Sequence, residues 1–246
     1  MQNMYRQQSL ITLDQFYEMK PLSKLEAILS FIDYSLFEEI FPYDAHKRGP
    51  KGYSKKQLFT TLMAMPIEQL SDIKALVTRL KSDPVLRRSL GYDYTNDTPS
   101  AATLNRFITL LSGTDILERT FRRMVCKARK LGLIAGTNVA IDASKLTAYE
   151  HAVPKSRIPS DNPSFPNWGG KLDTNGNFIK WFGWKMHALV DTYSGIPISY
   201  IITPANIADM DVAEDLIQKM MVDYENGLTP KYYMMDAGYD KPDLYA

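Results

Sequence analysis

The sequence predicts an α/β chain, with an all-α, helix-turn-helix-like bundle in front and a mixed β-sheet behind it. Three observations predict this. Up to Gly132, apolar residues recur at helical spacing in segments broken by Pro, Gly and capping residues. Beyond Gly132 the pattern changes to short apolar runs bounded by turn residues, as strands require. Two of those runs, Val139-Ala140-Ile141 and Tyr232 to Met235, each lead directly into an aspartate, Asp142 and Asp236.

The elements follow in order. A short helix is expected over Leu13 to Met19. From Leu22, with Ser23 as N-cap, the spacing of Leu25, Ile28, Leu29, Ile32, Leu36 and Ile40 predicts one helix that Phe41-Pro42 stops. Tyr43 to Tyr53 holds Gly49, Pro50, Gly52 and the basic trio His46, Lys47 and Arg48, and reads as a linker. Ser54 should cap a helix through about Ala64 that Pro66 breaks. Further helices are expected over Gln69 to Leu80, from Pro84 to a stop at Gly91, from Ser100 through Leu111, and over Asp115 to Leu131.

Asn138 to Ser144 reads as the first strand. Lys145 to Asn177 is rich in Pro, Ser, Asn and Gly, too long for a structureless loop in a compact domain, and is read as an insertion. Phe178 to Val190 and Ile196 to Thr203, joined by Asp191 to Gly195, should form an antiparallel hairpin. Asp209 or Asp211 caps a helix through about Tyr224, and Tyr232 to Asp236 should lie parallel to the first strand. The expected division is a helical segment over 1–45, a helical DNA-binding domain over 46–135, and a sheet domain over 136–246 carrying an insertion at 146–178.

Composition narrows the function classes. No run of eighteen apolar residues exists to span a membrane, and the first residues lack a secretory apolar stretch. The one cysteine, Cys126, excludes an intramolecular disulfide and a cysteine-based zinc cluster, and its expected role is apolar filler on a helix. A reducing cytosol fits. Through Ala135 there are 20 basic against 14 acidic side chains; beyond it, 9 against 14. A basic front and an acidic back suit a DNA-contacting module joined to a metal-binding one.

Paired carboxylates on rigid strands suit Mg²⁺, which takes hard oxygen ligands in tight geometry. The other reading of Asp142 and Asp236 is that each caps a turn or helix. Arg106, Arg119, Arg122, Arg123, Lys127, Arg129 and Lys130 gather late in the helical part, either as phosphate contacts or as a solvated face. Lys185 and His187, two apart on a strand, share a face and either approach a scissile phosphate or sit in solvent. Trp168, Trp181 and Trp184 read as core packing rather than base-stacking platforms.

Four pieces carry a resemblance: V-A-I-D-A-S-K-L at 139–146, G-W-K-M-H-A-L-V-D at 183–191, G-I-P-I-S-Y-I-I-T-P-A-N-I-A-D at 195–209 and M-M-D-A-G-Y-D at 234–240. Their order and spacing resemble a DDE-type insertion-sequence transposase, and Asp83 to Leu111 resembles the DNA-binding segment preceding its catalytic domain. The resemblance implies an RNase H-like fold, incomplete here, and metal-dependent DNA strand cleavage and transfer. It implies that Asp142 and Asp236 are catalytic and hold Mg²⁺, with Mn²⁺ able to substitute, and that Lys185 and His187 join the DNA-contacting residues. Its implied partners are double-stranded DNA, as element terminal repeats and target, and further copies of the chain in a homo-oligomer, in a cytoplasmic, nucleoid-associated setting. Such transposases add a third carboxylate, a Glu on a helix after the second Asp. The sequence up to Ala246 contains none at that position, so a truncated chain inactive by itself is expected. The alternative is a non-catalytic DNA-binding repressor acting at the terminal repeats.

Overall fold

The computed structural model describes residues 12–42, 52–93, 97–149, 151–172, 175–224, 227–236 and 239. The chain forms two compact units that divide between Met124 and Val125. Most of the expected linker, residues 43–51, lies outside the described residues, as does the turn Ala237-Gly238.

The first unit is helical. It contains α1 (Leu13–Met19), α2 (Lys24–Phe31), α3 (Ser35–Ile40), α4 (Lys55–Ile67), α5 (Ile73–Ser82), α6 (Pro84–Ser89), α7 (Ala101–Ser112) and the start of α8 (Ile116–Lys130). Helix starts are written in the sequence. Thr12, Ser23 and Ser54 form capping boxes with Gln15, Glu26 and Gln57, while Asp72, Asp83 and Ser100 cap α5, α6 and α7. Leu25, Leu29, Leu36, Phe37, Leu58, Phe59, Leu76, Leu80, Leu104, Phe107 and Leu111 fuse the apolar faces into one core.

Two expectations change here. The helix expected from Leu22 to Ile40 is two helices, because Asp33 Oδ1 accepts the Ser35 N–H at 3.0 Å and turns the chain between them. Pro66 does not break α4. Its missing N–H falls in the last turn, and the stop comes from Gln69, which takes a left-handed φ of 55°. The Leu70 N–H then reaches the Met65 carbonyl at 2.9 Å and the Gln69 N–H the Pro66 carbonyl at 3.3 Å, a Schellman ending.

The second unit is built on a five-stranded sheet of β1 (Asn138–Thr147), β2 (Asn167–Leu172), β3 (Phe178–Asp191), β4 (Pro197–Pro204) and β5 (Tyr232–Met235), with α9 (Ala213–Asp223) between β4 and β5. β3 pairs antiparallel with β1 and β4, and β5 adds to the other edge of β1 in parallel. That is the RNase H-like arrangement: three antiparallel strands, a helix, then a parallel strand beside the first. Leu216 and Met220 of α9 are buried, and the Tyr224 hydroxyl donates to the Ile198 carbonyl at 2.8 Å, tying the helix end to β4.

The insertion is partly ordered by the sheet. Its β2 pairs with the first half of β3, from Asn167 opposite Gly183 to Leu172 opposite Phe178. Trp168 Nε1 donates to the Val153 carbonyl at 2.8 Å and Trp184 Nε1 to the Ser164 carbonyl at 3.0 Å, so two indoles pin the insertion down. Trp181 is buried, as the packing reading expects. Among the described residues no helix is long and apolar enough to cross a membrane.

Candidate metal centre

The parallel pairing of β1 and β5 runs from Asn138 opposite Tyr232 to Ile141 opposite Met235. Asp142 and Asp236 are the next residue on each strand, so both leave the pairing at the same end. In β1 the alternation buries Val139 and Ile141 and turns Asp142 to solvent. Asp236 is exposed too. Asp142 Oδ1 accepts its neighbour's N–H, that of Ala143, at 2.7 Å.

Lys185 and His187 lie on the neighbouring strand but not on the face of Asp142. The register sets Asp142 against Ala188, so alternation sends the side chains of Lys185 and His187 to the other face. There they meet Asp209. Lys185 Nζ donates to Asp209 Oδ1 at 2.7 Å and to the Ile207 carbonyl at 2.9 Å. His187 is wholly buried; its Nε2 lies 3.0 Å from Thr203 Oγ1, and its Nδ1, with no hydrogen-bond partner, lies 3.9 Å from Asp209 Oδ1. Burial pushes the His187 pKa down. Asp209 pulls it back up in part, and the Lys185 charge lowers it further.

Tyr239 follows Asp236 by three residues. It is buried, its N–H donates to the Asp236 carbonyl at 3.1 Å, and its hydroxyl has no hydrogen-bond partner. Burial holds the phenol far above its ordinary pKa, and the charges of Asp209, Asp142 and Asp236 add to that effect. One hydroxyl therefore feels all three carboxylates. Sequence reasoning cast Asp209 only as a helix cap; the available signal was its place at the end of the 195–209 motif.

Among the described residues no group of three or more His, Cys, Asp or Glu side chains is disposed to hold a metal. Asp142 and Asp236, both exposed hard-oxygen ligands at one sheet end, fit a divalent ion that takes one or two carboxylates and completes its shell with phosphate and water.

The basic residues of α8 separate by role. Arg119 Nη2 pairs with Glu39 at 2.7 Å, and Arg123 Nη1 reaches Asp33 Oδ2 at 2.7 Å and Ser35 Oγ at 2.6 Å. These two guanidiniums bind α8 to α3 and to the turn before it. Lys127 and Lys130 are exposed and Arg122 is half-buried; Arg106, on α7, is exposed as well. Cys126 is exposed on α8, not apolar filler, because it falls on the helix's solvent side between buried Val125 and Ala128.

Residues 136–246 match the model of the transposase DDE domain, and residues 12–110 match that of a transposase domain (DUF772). The chain belongs to the DDE transposases of insertion sequences. No curated protein and no solved structure matches this transposase. The transposase DDE domain is typically dependent on a divalent metal, and transposase families act on DNA.

Proposed function

We propose that this transposase cleaves and joins DNA strands at a divalent-metal centre to which Asp142 and Asp236 contribute, with Mg²⁺ as the ion and Mn²⁺ able to replace it; the nicking assay below decides whether these two suffice without a third carboxylate or the chain is inactive by itself. The observation that carries the reading is the parallel β1–β5 pair, whose last rung, Ile141 opposite Met235, is followed on each strand by a carboxylate. When bound, the metal supplies Lewis-acid stabilisation of charge on the transferring phosphoryl group. The chain's own residues anchor and orient. Asp142 and Asp236 present hard oxygen ligands from strands whose position the sheet fixes. Arg106, Arg122, Lys127 and Lys130 contact duplex phosphates and set register without reading sequence. In each transfer an oxygen of water or of a 3′ hydroxyl bonds to phosphorus as the P–O3′ bond breaks; the nucleophile's proton passes to solvent, and the leaving 3′ oxygen takes a proton from solvent to become a hydroxyl. The DNA is that of the element's ends and its target, bound through residues 46–135, and the working assembly is a homo-oligomer.

Calorimetric titration of the chain with Mn²⁺, alone and with Asp142→Asn or Asp236→Asn, tests the centre. Each substitution should weaken binding by about tenfold or more, as loss of an anchoring charge implies. Equal affinity in all three proteins would dismiss the site. A labelled mixed-sequence duplex incubated with each protein and Mn²⁺ then separates enzyme from repressor: nicking that depends on Asp142 supports the transposase chemistry, and duplex binding without nicking supports the repressor.

A further inference from the structure

The Lys185–Asp209 pair has the composition of an exchangeable contact. We propose that Asp209 is a positioning residue that holds Lys185 in the free protein and releases it to a phosphate when duplex DNA binds, with His187 standing by to replace it. The proposal rests on the reading of duplex DNA as substrate.

Two observations carry it. First, the pair is partly open. The Lys185 and Asp209 side chains keep 16% and 30% exposure, so the pair touches solvent. A phosphate is a strong acceptor for an ammonium group and can compete with the carboxylate for the cation. Second, Asp209 has a second donor waiting. His187 Nδ1 is buried, lacks a hydrogen-bond partner and lies 3.9 Å from the same Oδ1 that Lys185 now occupies. With the ring proton on Nδ1, Nε2 accepts from the Thr203 hydroxyl at 3.0 Å, and a small approach gives Asp209 an N–H donor once Lys185 leaves. An unpartnered buried nitrogen costs free energy in the present arrangement, and the exchange removes that cost.

The test is duplex affinity across a salt series, read by fluorescence anisotropy with a mixed-sequence duplex, for the full chain and for Asp209→Asn, Lys185→Ala and the double variant. Asp209→Asn should bind about fivefold tighter, the scale of one modest ion pair released. Its log affinity against log salt should keep the wild-type slope, since both complexes hold the same phosphate contact, whereas Lys185→Ala should flatten that slope by about 0.9. The gain in affinity should vanish in the Lys185→Ala background. A gain that persists there reflects only general charge repulsion and overturns the exchange, as does unchanged or weaker binding by Asp209→Asn. Wild-type affinity that stays flat with salt would instead bring down the DNA reading, and this proposal with it. In the unmodified chain, the His187 ring-nitrogen resonances should shift on adding duplex; a ring unchanged in a DNA-saturated sample also overturns it.

Discussion

Asp191 shows at the residue scale how a buried carboxylate stays charged. It is wholly buried, yet accepts from Gly136 N–H at 2.8 Å, Ser194 N–H at 2.9 Å and Ser194 Oγ at 2.8 Å. Burial alone would push its pKa up; these donors hold it below the ordinary carboxylate value. Asp191→Ala removes the acceptor and strands its buried donors, so chemical denaturation should show a loss of about 2–3 kcal/mol. His187 also makes a prediction about acid. Its folded pKa is lowered from 6.5, so between that lowered value and 6.5 the unfolded chain binds more protons than the folded one. Its stability contribution is whole above 6.5 and is lost as pH falls toward the folded pKa. Denaturation midpoints should therefore fall less steeply with acidification in His187→Gln than in the wild type over that window, with Asp209 and Lys185 unchanged as its charged neighbours.

Endings and joints decide matters at the element scale. Gln69 takes a left-handed φ of 55° to close α4, a conformation that a Cβ makes unfavourable. Gln69→Gly should thus stabilise the protein by about 0.5–1 kcal/mol, an increase in melting temperature that a loss of contacts could not produce. Gly183 carries the reverse constraint. Its φ is 154°, and a Cβ there would collide with the backbone at Leu146 and Ala148, where β1 crosses β3. Gly183→Ala should cost about 3 kcal/mol or more, because backbone on both sides must move. Thermal unfolding of the two variants, shifting in opposite directions, checks both.

The whole molecule is divided by charge, with the excess of cations before Ala135 and of anions after it. If the exposed Arg106, Lys127 and Lys130 contact phosphates, duplex affinity of the full chain should fall steeply with salt, by a log–log slope of about −0.9 for each contact. Filter binding over a salt series measures the slope. A flat response would assign the cations to solvated surface, as Arg119 and Arg123, already paired with carboxylates, show a basic helix can use them.

The sequence by itself determined what is local. Capping serines and aspartates set the helix starts because their side chains satisfy N–H groups two or three residues on, and the run Val139 to Asp142 announced a strand that turns a carboxylate to solvent because alternation needs only neighbours, although β1 runs on past Asp142 to Thr147. Matched apolar runs also placed β5 parallel to β1. The tertiary structure alone decided what depends on distant partners. β2 formed within the insertion because β3 offered it an edge, whereas the stops at Asp33 and Gln69 were local and were missed because apolar spacing and Pro66 pointed elsewhere. Asp209 met Lys185 and His187 across more than twenty residues of chain, on the face that register, not spacing, assigned to them. Register is a sum over all the pairs of a sheet, and no single segment contains it.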